Sequence, residues 1–473
     1  MIPRTMSTQH PDNVFMPFFA RSSLLEGEDE VTEAFYAFSL LGIQEQMWDF
    51  EGKEVDNFVV KKLLENYSEF FASHRLGEAF RLTPRVPNPG IEKSEAKLLL
   101  ETLQGIPRSA DYAKIFYGDS YPPIFEVILP MTTSCVEIDR VYELYRKFVA
   151  GLQYRRVFDI KINEWIGDFE PKEISVIPLF ETKEAILNAF SILEDYLQGK
   201  SFEYQRVFLA RSDPAMNYGL ISAVLYDKYA LFKLSELEEE MSIEIYPIVG
   251  VGSAPFRGHL TPENFDAVLK EYSSAQTFTL QSSFKYDNPP RDVIKAVEKI
   301  NKSRRGEAET VEEEKLKLLK KYEEEYAKQV KLLAPHIRRI ARMIPQRRKR
   351  KLHIGLFGYT REIEGIALPR AIKFTAALYS MGIPPEILGL NALSDSELDR
   401  LNEGYRGLYD DIEFAFGFFN PEIAEKLGLG DLVRISREWG VEPIDEYTEG
   451  TKKVWEGFEE PVLKLASMRG FLG

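Results

Sequence analysis

The stretch that decides the fold is residues 174–182, which read Ile-Ser-Val-Ile-Pro-Leu-Phe-Glu-Thr. Apolar side chains dominate this stretch up to Phe180, and the carboxylate of Glu181 follows at its end. A nearly continuous apolar run of this length is typical of a strand that is buried on both faces, as in a parallel sheet. Parallel α/β folds place their chemistry at the carboxyl ends of such strands, so Glu181 is a candidate site residue.

The same arrangement returns further along the chain, where 207–210 runs directly into Arg211, Ser212 and Asp213. Two consecutive parallel strands would bring Glu181 and Asp213 to the same rim. Carboxylates are the hard oxygen ligands that suit Mg²⁺ or Mn²⁺. Taken singly, each carboxylate is explained equally well as the cap of the helix that follows it. The pair on adjacent strands favours a metal site.

Short strand-like runs alternate with longer helical patterns over most of the chain. This alternation predicts an α/β protein built on a (β/α)8 TIM-type barrel. Several gaps between strands exceed one crossover helix, so extensive extra α-helices are expected. The candidate strands are Ile43–Asp49, Ala79–Val86, Ile124–Pro130, Ile174–Phe180, Gln205–Ala210, Ile243–Val249, Thr277–Gln281 and Leu352–Phe357.

We interpret residues 1–473 as a single catalytic domain. Its barrel strands are expected to spread over about 43–358. A charged helical insertion is expected at about 290–350, because acidic and basic residues recur there four positions apart, as on a solvated helix. The C-terminal region, about 371–473, is expected to be mostly helical. We interpret the basic run at 347–351 as the solvated end of the insertion rather than as an anion site.

Composition narrows the function classes. The chain has 473 residues, of which 44% are apolar and 29% charged, as in a globular protein with a sizeable core. The net charge of −15 argues against nucleic acid as a partner. No run of 18 apolar residues or apolar signal core is present, so no membrane partner is expected. The single cysteine excludes an internal disulfide framework, and a cytoplasmic location is predicted.

Arginines stand at several other predicted strand ends and helix starts. Guanidinium groups bind phosphate and carboxylate through two parallel hydrogen bonds. Several of them at one rim predict a site for a small, highly anionic substrate, although any one of them alone is more often part of a surface ion pair. The four are Arg85, Arg257 within the glycine-bearing loop 250–258, Arg361 and Arg370.

Histidines offer weaker signals. His10 lies in a loop of small polar residues, Ser7–Asn13, where it suits an acid, a base or an electrostatic stabiliser, or is an ordinary loop histidine. His259 follows Arg257 closely. No histidine pair has zinc-ligand spacing, and no phosphate-binding or dinucleotide-binding glycine motif follows a strand.

The motifs that carry these residues resemble those of phosphoenolpyruvate carboxylase, in the same order along the chain, and specifically its short archaeal-type branch. The opening residues, Met-Ile-Pro-Arg-Thr-Met-Ser-Thr-Gln-His-Pro-Asp-Asn, are similar to that branch almost throughout. The matching segments are Thr8-Gln-His-Pro, Leu82-Thr-Pro-Arg, Pro178-Leu-Phe-Glu-Thr, Ser212-Asp-Pro-Ala, the loop 250–258, Gly358-Tyr-Thr-Arg, Leu368-Pro-Arg-Ala-Ile, the glutamine at 281 and the glycine at 473.

The resemblance implies a role for each site residue. Glu181 and Asp213 would be ligands of Mg²⁺ or Mn²⁺. His10 and Arg257 would be catalytic. The phosphate of the substrate would be bound by three arginines, which are Arg85, Arg361 and Arg370.

Two positions depart from the family pattern. The first arginine of the glycine-rich loop is replaced by Val251, and we suggest that Arg211 supplies the missing substrate contact. A lysine that follows the metal-binding aspartate is replaced by Met216.

The implied reaction is the carboxylation of phosphoenolpyruvate by bicarbonate to oxaloacetate and phosphate, an anaplerotic fixation of CO₂. Bicarbonate would attack phosphorus, giving carboxyphosphate and the enolate of pyruvate. Carboxyphosphate would then release CO₂, which the enolate captures. The loop 250–258 would close as a shield against water. The family is typically homotetrameric, so a homotetramer is implied.

Two other classes remain open at this stage. One is another metal-dependent barrel enzyme acting on pyruvate or phosphoenolpyruvate, such as an aldolase or a phosphotransferase, which would not need His10. The other is a non-catalytic helical scaffold, which would bury its arginines in ion pairs. Formation of oxaloacetate that depends on bicarbonate and Mg²⁺ would separate all three.

Overall fold

The structure is a computed structural model that describes residues 1–50, 56–349, 362–363 and 366–473. Its centre is a closed barrel of eight strands, all parallel, whose order around the barrel follows the chain. This architecture confirms the predicted (β/α)8 barrel. The barrel strands are β1 (Thr5–Ser7), β2 (Glu45–Asp49), β3 (Arg81–Arg85), β4 (Glu126–Leu129), β5 (Ser175–Phe180), β6 (Tyr204–Ala210), β7 (Glu244–Gly250) and β8 (Thr277–Leu280).

The barrel is closed by β1, not by the predicted strand Leu352–Phe357. Thr5 pairs with Phe278 of β8, and Met6 pairs with Glu45 of β2. The barrel strands therefore run from 5 to 280 rather than from 43 to 358. Three residues with one apolar side chain give no periodic signal, which is why the sequence did not reveal β1. The segment 352–357 lies outside the described residues.

The barrel interior has an apolar layer and a charged layer. The charged layer lies at the amino ends of the strands, where Arg206 bonds Glu45 at 2.6 Å and Glu126 at 3.0 Å. Burial alone would raise the pKa of Glu45, but the charge of Arg206 outweighs it and the pKa lies below its ordinary value. The apolar layer consists of Met6, Met47, Ile128, Ile177, Leu179, Phe208, Ala210 and Ile248.

Helices surround the barrel and continue after its last strand. Within the described parts of the chain, none of them combines the length and the apolar character needed to cross a bilayer. The α-helices are Glu28–Ser39, Val59–Asn66, Ser68–Ser73, Ala96–Tyr117, Cys135–Glu143, Ile162–Ile166, Lys183–Leu187, Ala189–Leu197, Ser212–Tyr218, Leu220–Met241, Phe265–Glu271, Ser282–Tyr286, Pro290–Lys302, Glu313–Ala341, Ala371–Ser380, Asp395–Asn402, Leu408–Phe416, Pro421–Lys426, Gly430–Trp439, Asp445–Glu456 and Pro461–Arg469.

Shorter elements complete the chain. Two small antiparallel hairpins lie outside the barrel, one pairing Arg156–Val157 with Ile160–Lys161 and the other pairing Glu362–Ile363 with Ile366–Ala367. A π-helical turn spans Leu144–Val149. The 3-10 turns are Lys93–Glu95, Ala150–Tyr154, Pro255–Arg257, Pro385–Ile387 and Leu390–Ala392.

The long helix Glu313–Ala341 does more than present charges to solvent. One face is buried, with Tyr322, Tyr326 and Val330 each fully inaccessible. Gln329 on the same helix bonds Asn391 at 2.8 Å. The Tyr326 hydroxyl donates to the Met216 carbonyl at 2.9 Å, so the helix joins the helix Ser212–Tyr218, which follows β6, to the C-terminal region.

We expect the charged layer to be essential for stability. Arg206→Met leaves the Glu45 carboxylate buried without its cation, so the free energy of unfolding should fall by about 3–5 kcal/mol. Arg400→Met is the matched control, because the Arg400–Glu314 pair at 2.9 Å is solvent-exposed and should contribute at most about 1 kcal/mol. Denaturant titration of both variants measures the difference. Equal decreases in the free energy of unfolding would show that the buried pair contributes no more to stability than the exposed one.

Candidate active site

Glu181 immediately follows β5 and is held rigidly at the rim of the barrel. The side chain is buried, and its Oε2 accepts a hydrogen bond from the backbone N–H of Met131 at 2.6 Å. Met131 lies just beyond β4, the neighbouring strand, and has a positive φ of 51°. The loop after one strand thus orients the carboxylate that follows the next.

Asp213 lies in the first turn of the helix Ser212–Tyr218, just after β6. Phe180 of β5 pairs with Leu209 of β6, so Glu181 and Asp213 leave adjacent strands at the same rim. Among the described residues, no group of three or more His, Cys, Asp or Glu could hold a metal ion. Two carboxylates fit Mg²⁺, which commonly takes one or two from a protein and completes its shell with water and phosphate oxygens.

Arg257 connects four segments of the chain through one buried guanidinium group, which is 1% exposed. Its Nε donates to Ser212 Oγ at 3.0 Å, and its Nη2 donates to Gln281 Oε1. Its Nη1 donates to the backbone oxygen of Gly473 at 2.6 Å and to Asp12 Oδ2 at 3.3 Å. The rim after β6 and β8, the segment after β1 and the end of the C-terminal helices meet at this side chain.

Negative charges near Arg257 offset part of the free-energy cost of burying its guanidinium. Burial lowers the pKa of Arg257, while the carboxylates of Asp12 and Asp213 act in the opposite direction. Asp12 is itself fully buried, and burial raises its pKa against the effect of Arg257. Asp12 also accepts a hydrogen bond from the Ser283 N–H at 2.7 Å. The charge of each of these two buried groups therefore offsets part of the desolvation cost of the other.

The loop that carries Arg257 is folded inward. Residues 251–257 are buried, and the loop is closed by bonds from Gly252 N to Arg257 O at 2.7 Å and from Leu260 N to Gly252 O at 2.9 Å. Gly258 has a φ of 126°, and a Cβ there would lie 2.5 Å from Val251 Cγ1. Val251, which departs from the family pattern, therefore packs against the loop backbone.

His10 lies three residues after Ser7, the last residue of β1. Its Nδ1 lies 2.8 Å from Thr8 Oγ1, a contact that orients the ring. Its carbonyl accepts from Ser282 N at 3.3 Å, just beyond β8. The buried ammonium of Lys285 donates to Thr8 O at 3.0 Å and fixes the same segment. The structure brings this segment to Arg257 through Asp12, two residues after His10.

Arg85 is the last residue of β3 and is paired with Asp49, the last residue of β2. Arg85 Nε lies 2.9 Å from Asp49 Oδ1, and Nη2 lies 2.8 Å from Oδ2. Both side chains are buried. Asp49 N donates to Gln9 Oε1 at 3.1 Å, which links the rim at β2 to the residue before His10. Asp49 was missed in the sequence, although it ends a predicted strand.

The other predicted arginines are placed differently. Arg211 is buried and donates to the Tyr272 hydroxyl at 3.0 Å and to the Phe256 carbonyl at 3.4 Å. It thus ties the loop to the segment after the helix Phe265–Glu271, and its contact with substrate stays a prediction. Arg370 precedes the helix Ala371–Ser380, which packs against the helix carrying Asp213. Arg361 lies outside the described residues.

Comparison with known proteins points to one family. A family model described as Phosphoenolpyruvate carboxylase matches residues 2–473. The phosphoenolpyruvate carboxylase of Pyrococcus furiosus is 62% identical over 475 residues and that of Methanothermobacter thermautotrophicus is 53% identical over 486 residues, each alignment covering 100% of both chains. The solved structure of an HpcH/HpaI aldolase from Desulfitobacterium hafniense aligns with a TM-score of 0.35 and 13% identity, over 64% of this chain and 94% of that one.

Substitution of Glu181 tests whether this carboxylate is a metal ligand. Glu181→Gln keeps an oxygen for the Met131 N–H but removes the charge, so the affinity for Mn²⁺ should fall by more than the roughly 10- to 100-fold that loss of an outer-shell partner costs. Titration calorimetry or electron paramagnetic resonance of Mn²⁺ measures this affinity. Glu184→Gln, which removes the same charge from an exposed residue, is the control. Equal Mn²⁺ affinities in the two variants would contradict the assignment.

Proposed function

Because this chain belongs to the phosphoenolpyruvate carboxylase family, we propose that it carboxylates phosphoenolpyruvate with bicarbonate, giving oxaloacetate and phosphate. The observation that carries the proposal is the match along residues 2–473, with relatives aligned over their whole length. The positions of the motif residues support it, since His10, Glu181 and Asp213 each follow a strand at the same rim.

The metal would be held by Glu181 and Asp213. A divalent cation there supplies Lewis-acid stabilisation of negative charge that develops on oxygen. The Met131 N–H fixes the Glu181 carboxylate before any ligand binds. Such pre-orientation lowers the reorganisation needed when charge develops in the transition state.

Arg85, Arg361 and Arg370 would bind the phosphate of the substrate, with Arg211 as the suggested fourth contact. For Arg85, the two hydrogen bonds that its guanidinium donates to Asp49 set the plane of that group in advance. A guanidinium fixed in this way loses little conformational entropy on binding an anion. Val251 and Met216 are buried and uncharged, so each departure removes a positive charge relative to the family pattern.

The chemistry would proceed in two stages. Bicarbonate attacks phosphorus, the bond from phosphorus to the enol oxygen breaks, and carboxyphosphate and the enolate form. Carboxyphosphate then loses CO₂ and leaves phosphate, and the enolate carbon attacks CO₂. His10 would accept the proton that carboxyphosphate releases, and Arg257 would hold CO₂ near the enolate carbon.

The enolate must react with CO₂ before it is protonated, because protonation yields pyruvate. The inward fold of residues 251–257 supports a role for this loop in excluding water. The cytoplasmic location and the homotetrameric assembly stay predictions.

The purified protein should form oxaloacetate only when phosphoenolpyruvate, bicarbonate and Mg²⁺ are all present. Coupling to malate dehydrogenase follows the product as loss of NADH absorbance. Omission of bicarbonate separates this reaction from that of an aldolase or a phosphotransferase. Turnover that persists without bicarbonate, or the absence of any turnover, would refute the proposal.

His10→Asn should abolish oxaloacetate formation while leaving bicarbonate-dependent cleavage of phosphoenolpyruvate to pyruvate and phosphate. The reason is that attack on phosphorus precedes the step assigned to His10. Release of phosphate and formation of oxaloacetate are measured in parallel. His74→Asn is the control, since His74 is exposed beyond the helix Ser68–Ser73. Full carboxylation by the His10 variant would remove His10 from the mechanism.

A further inference from the structure

The C-terminal helices reach the Arg257 loop through one buried carboxylate. Glu386 lies in the 3-10 turn Pro385–Ile387 and is fully inaccessible to solvent. Its Oε1 accepts a hydrogen bond from the backbone N–H of Phe256 at 2.8 Å and another from the Tyr379 hydroxyl at 2.7 Å. Phe256 is the residue directly before Arg257, so Glu386 holds the backbone from which that guanidinium extends.

This contact differs from the hydrogen bonds that the neighbouring backbone N–H groups of the loop donate. The amides of Arg257 and Gly258 bond to the carbonyls of Ala254 and Pro255 within the loop itself. The Phe256 amide instead depends on an acceptor that lies far away in the sequence. A buried N–H without an acceptor costs about 1–3 kcal/mol, so loss of Glu386 favours displacement of Phe256 and its neighbour.

A buried carboxylate such as Glu386 is an energetically unfavourable acceptor for a single backbone N–H. Its Oε2 is buried and has no hydrogen-bond partner within the described parts of the chain. Burial raises the pKa of Glu386 to about 7, with the nearby Asp411 charge acting in the same direction. Proteins tolerate such partly satisfied groups mainly where function requires them.

A chain of hydrogen bonds continues from Glu386 to the other end of the Arg257 contacts. The Tyr447 hydroxyl donates to Tyr379 O at 2.9 Å, and Arg469 Nη1 donates to the Tyr447 hydroxyl at 3.0 Å. Arg469 Nη2 donates to Leu472 O at 2.6 Å. Leu472 precedes Gly473, the residue whose backbone oxygen accepts from Arg257. The C-terminal helical region therefore contacts both the loop backbone and the Arg257 guanidinium.

We propose that Glu386 is a positioning residue for the carboxylation step, acting through the Phe256 amide to hold Arg257 against the segment that carries His10. This inference rests on the proposed function, because Arg257 must act on CO₂ and the enolate. A displaced Arg257 lets CO₂ escape, and the enolate then takes a proton from water and leaves as pyruvate. The partition of cleaved phosphoenolpyruvate between pyruvate and oxaloacetate is thus the property that Glu386 controls.

Glu386→Leu tests the proposal, since leucine removes the acceptor and approximately preserves the volume. The ratio of pyruvate to oxaloacetate should rise about 10-fold, within the loss of up to about 100-fold that a misplacement of about 1 Å causes. The KM for phosphoenolpyruvate should change little, because phosphate is bound by other groups. Glu386→Gln, which retains an oxygen for Phe256, should restore a ratio close to that of the unaltered enzyme.

A matched control separates positioning from destabilisation. Thr451 is fully buried in the same C-terminal helical region and bonds Asn420 Nδ2 at 2.8 Å, away from the loop. Thr451→Val should lower the apparent melting temperature without changing the product ratio. An unchanged ratio in Glu386→Leu, or an equal rise in Thr451→Val, would overturn the inference. Absence of oxaloacetate from the unaltered enzyme would instead refute the proposed function.

Discussion

The burial of the Arg257 guanidinium is the constraint on which the site depends. A guanidinium carries five N–H donors and cannot lose its charge, so a buried one must find acceptors and a compensating anion. The acceptors here come from Ser212, Gln281, Asp12 and Gly473, which lie in parts of the chain that are remote in sequence. These segments must meet for the charge to be tolerated, and they meet at the rim where the barrel strands end.

This requirement explains why the C-terminal helices pack against the rim of the barrel. A Cβ on Gly473 would lie 2.2 Å from the carbonyl of Ile372, so only glycine fits against the helix Ala371–Ser380 at this point. Leu472 N donates to Asp12 O at 2.8 Å, which places a backbone contact beside the ion pair of Asp12 with Arg257. The barrel supplies the carboxylates, and the helices after it complete the surroundings of the arginine.

The strands that could be predicted were those with a clear hydrophobic pattern in their own sequence. Strand β5 was predictable because an apolar run buried on both faces appears directly in the sequence. Strand β1 was not, since its three residues owe their position to pairing with β2 and β8. Its discovery clarifies His10, because a histidine that seemed to lie in an ordinary loop follows a barrel strand. Candidate site residues could thus be chosen by their position after strands, even where one strand was missed, and their roles stay predictions.

Buried ion pairs could not be predicted, because their partners lie far apart in sequence. The basic run at 347–351 suggested a solvated helix end, yet Arg348 is buried and bonds Glu33 at 2.6 Å. Glu33 also bonds Lys285, which holds the segment before His10. Nothing in the local pattern distinguishes such an arginine from an exposed one. Only the fold shows which carboxylate each cation faces.

The same pairing shapes the electrostatics of the rim. Arg85 faces Asp49 and Arg257 faces Asp12, so part of the positive charge of these arginines is already balanced within the protein. Because these two arginines are already paired, the rim would attract an anion only weakly when Glu181 and Asp213 carry no metal. A divalent cation, which we propose these two carboxylates bind, would reverse that balance. An acidic chain would then attract a highly charged phosphate locally, because the metal and the phosphate would each compensate the charge of the other.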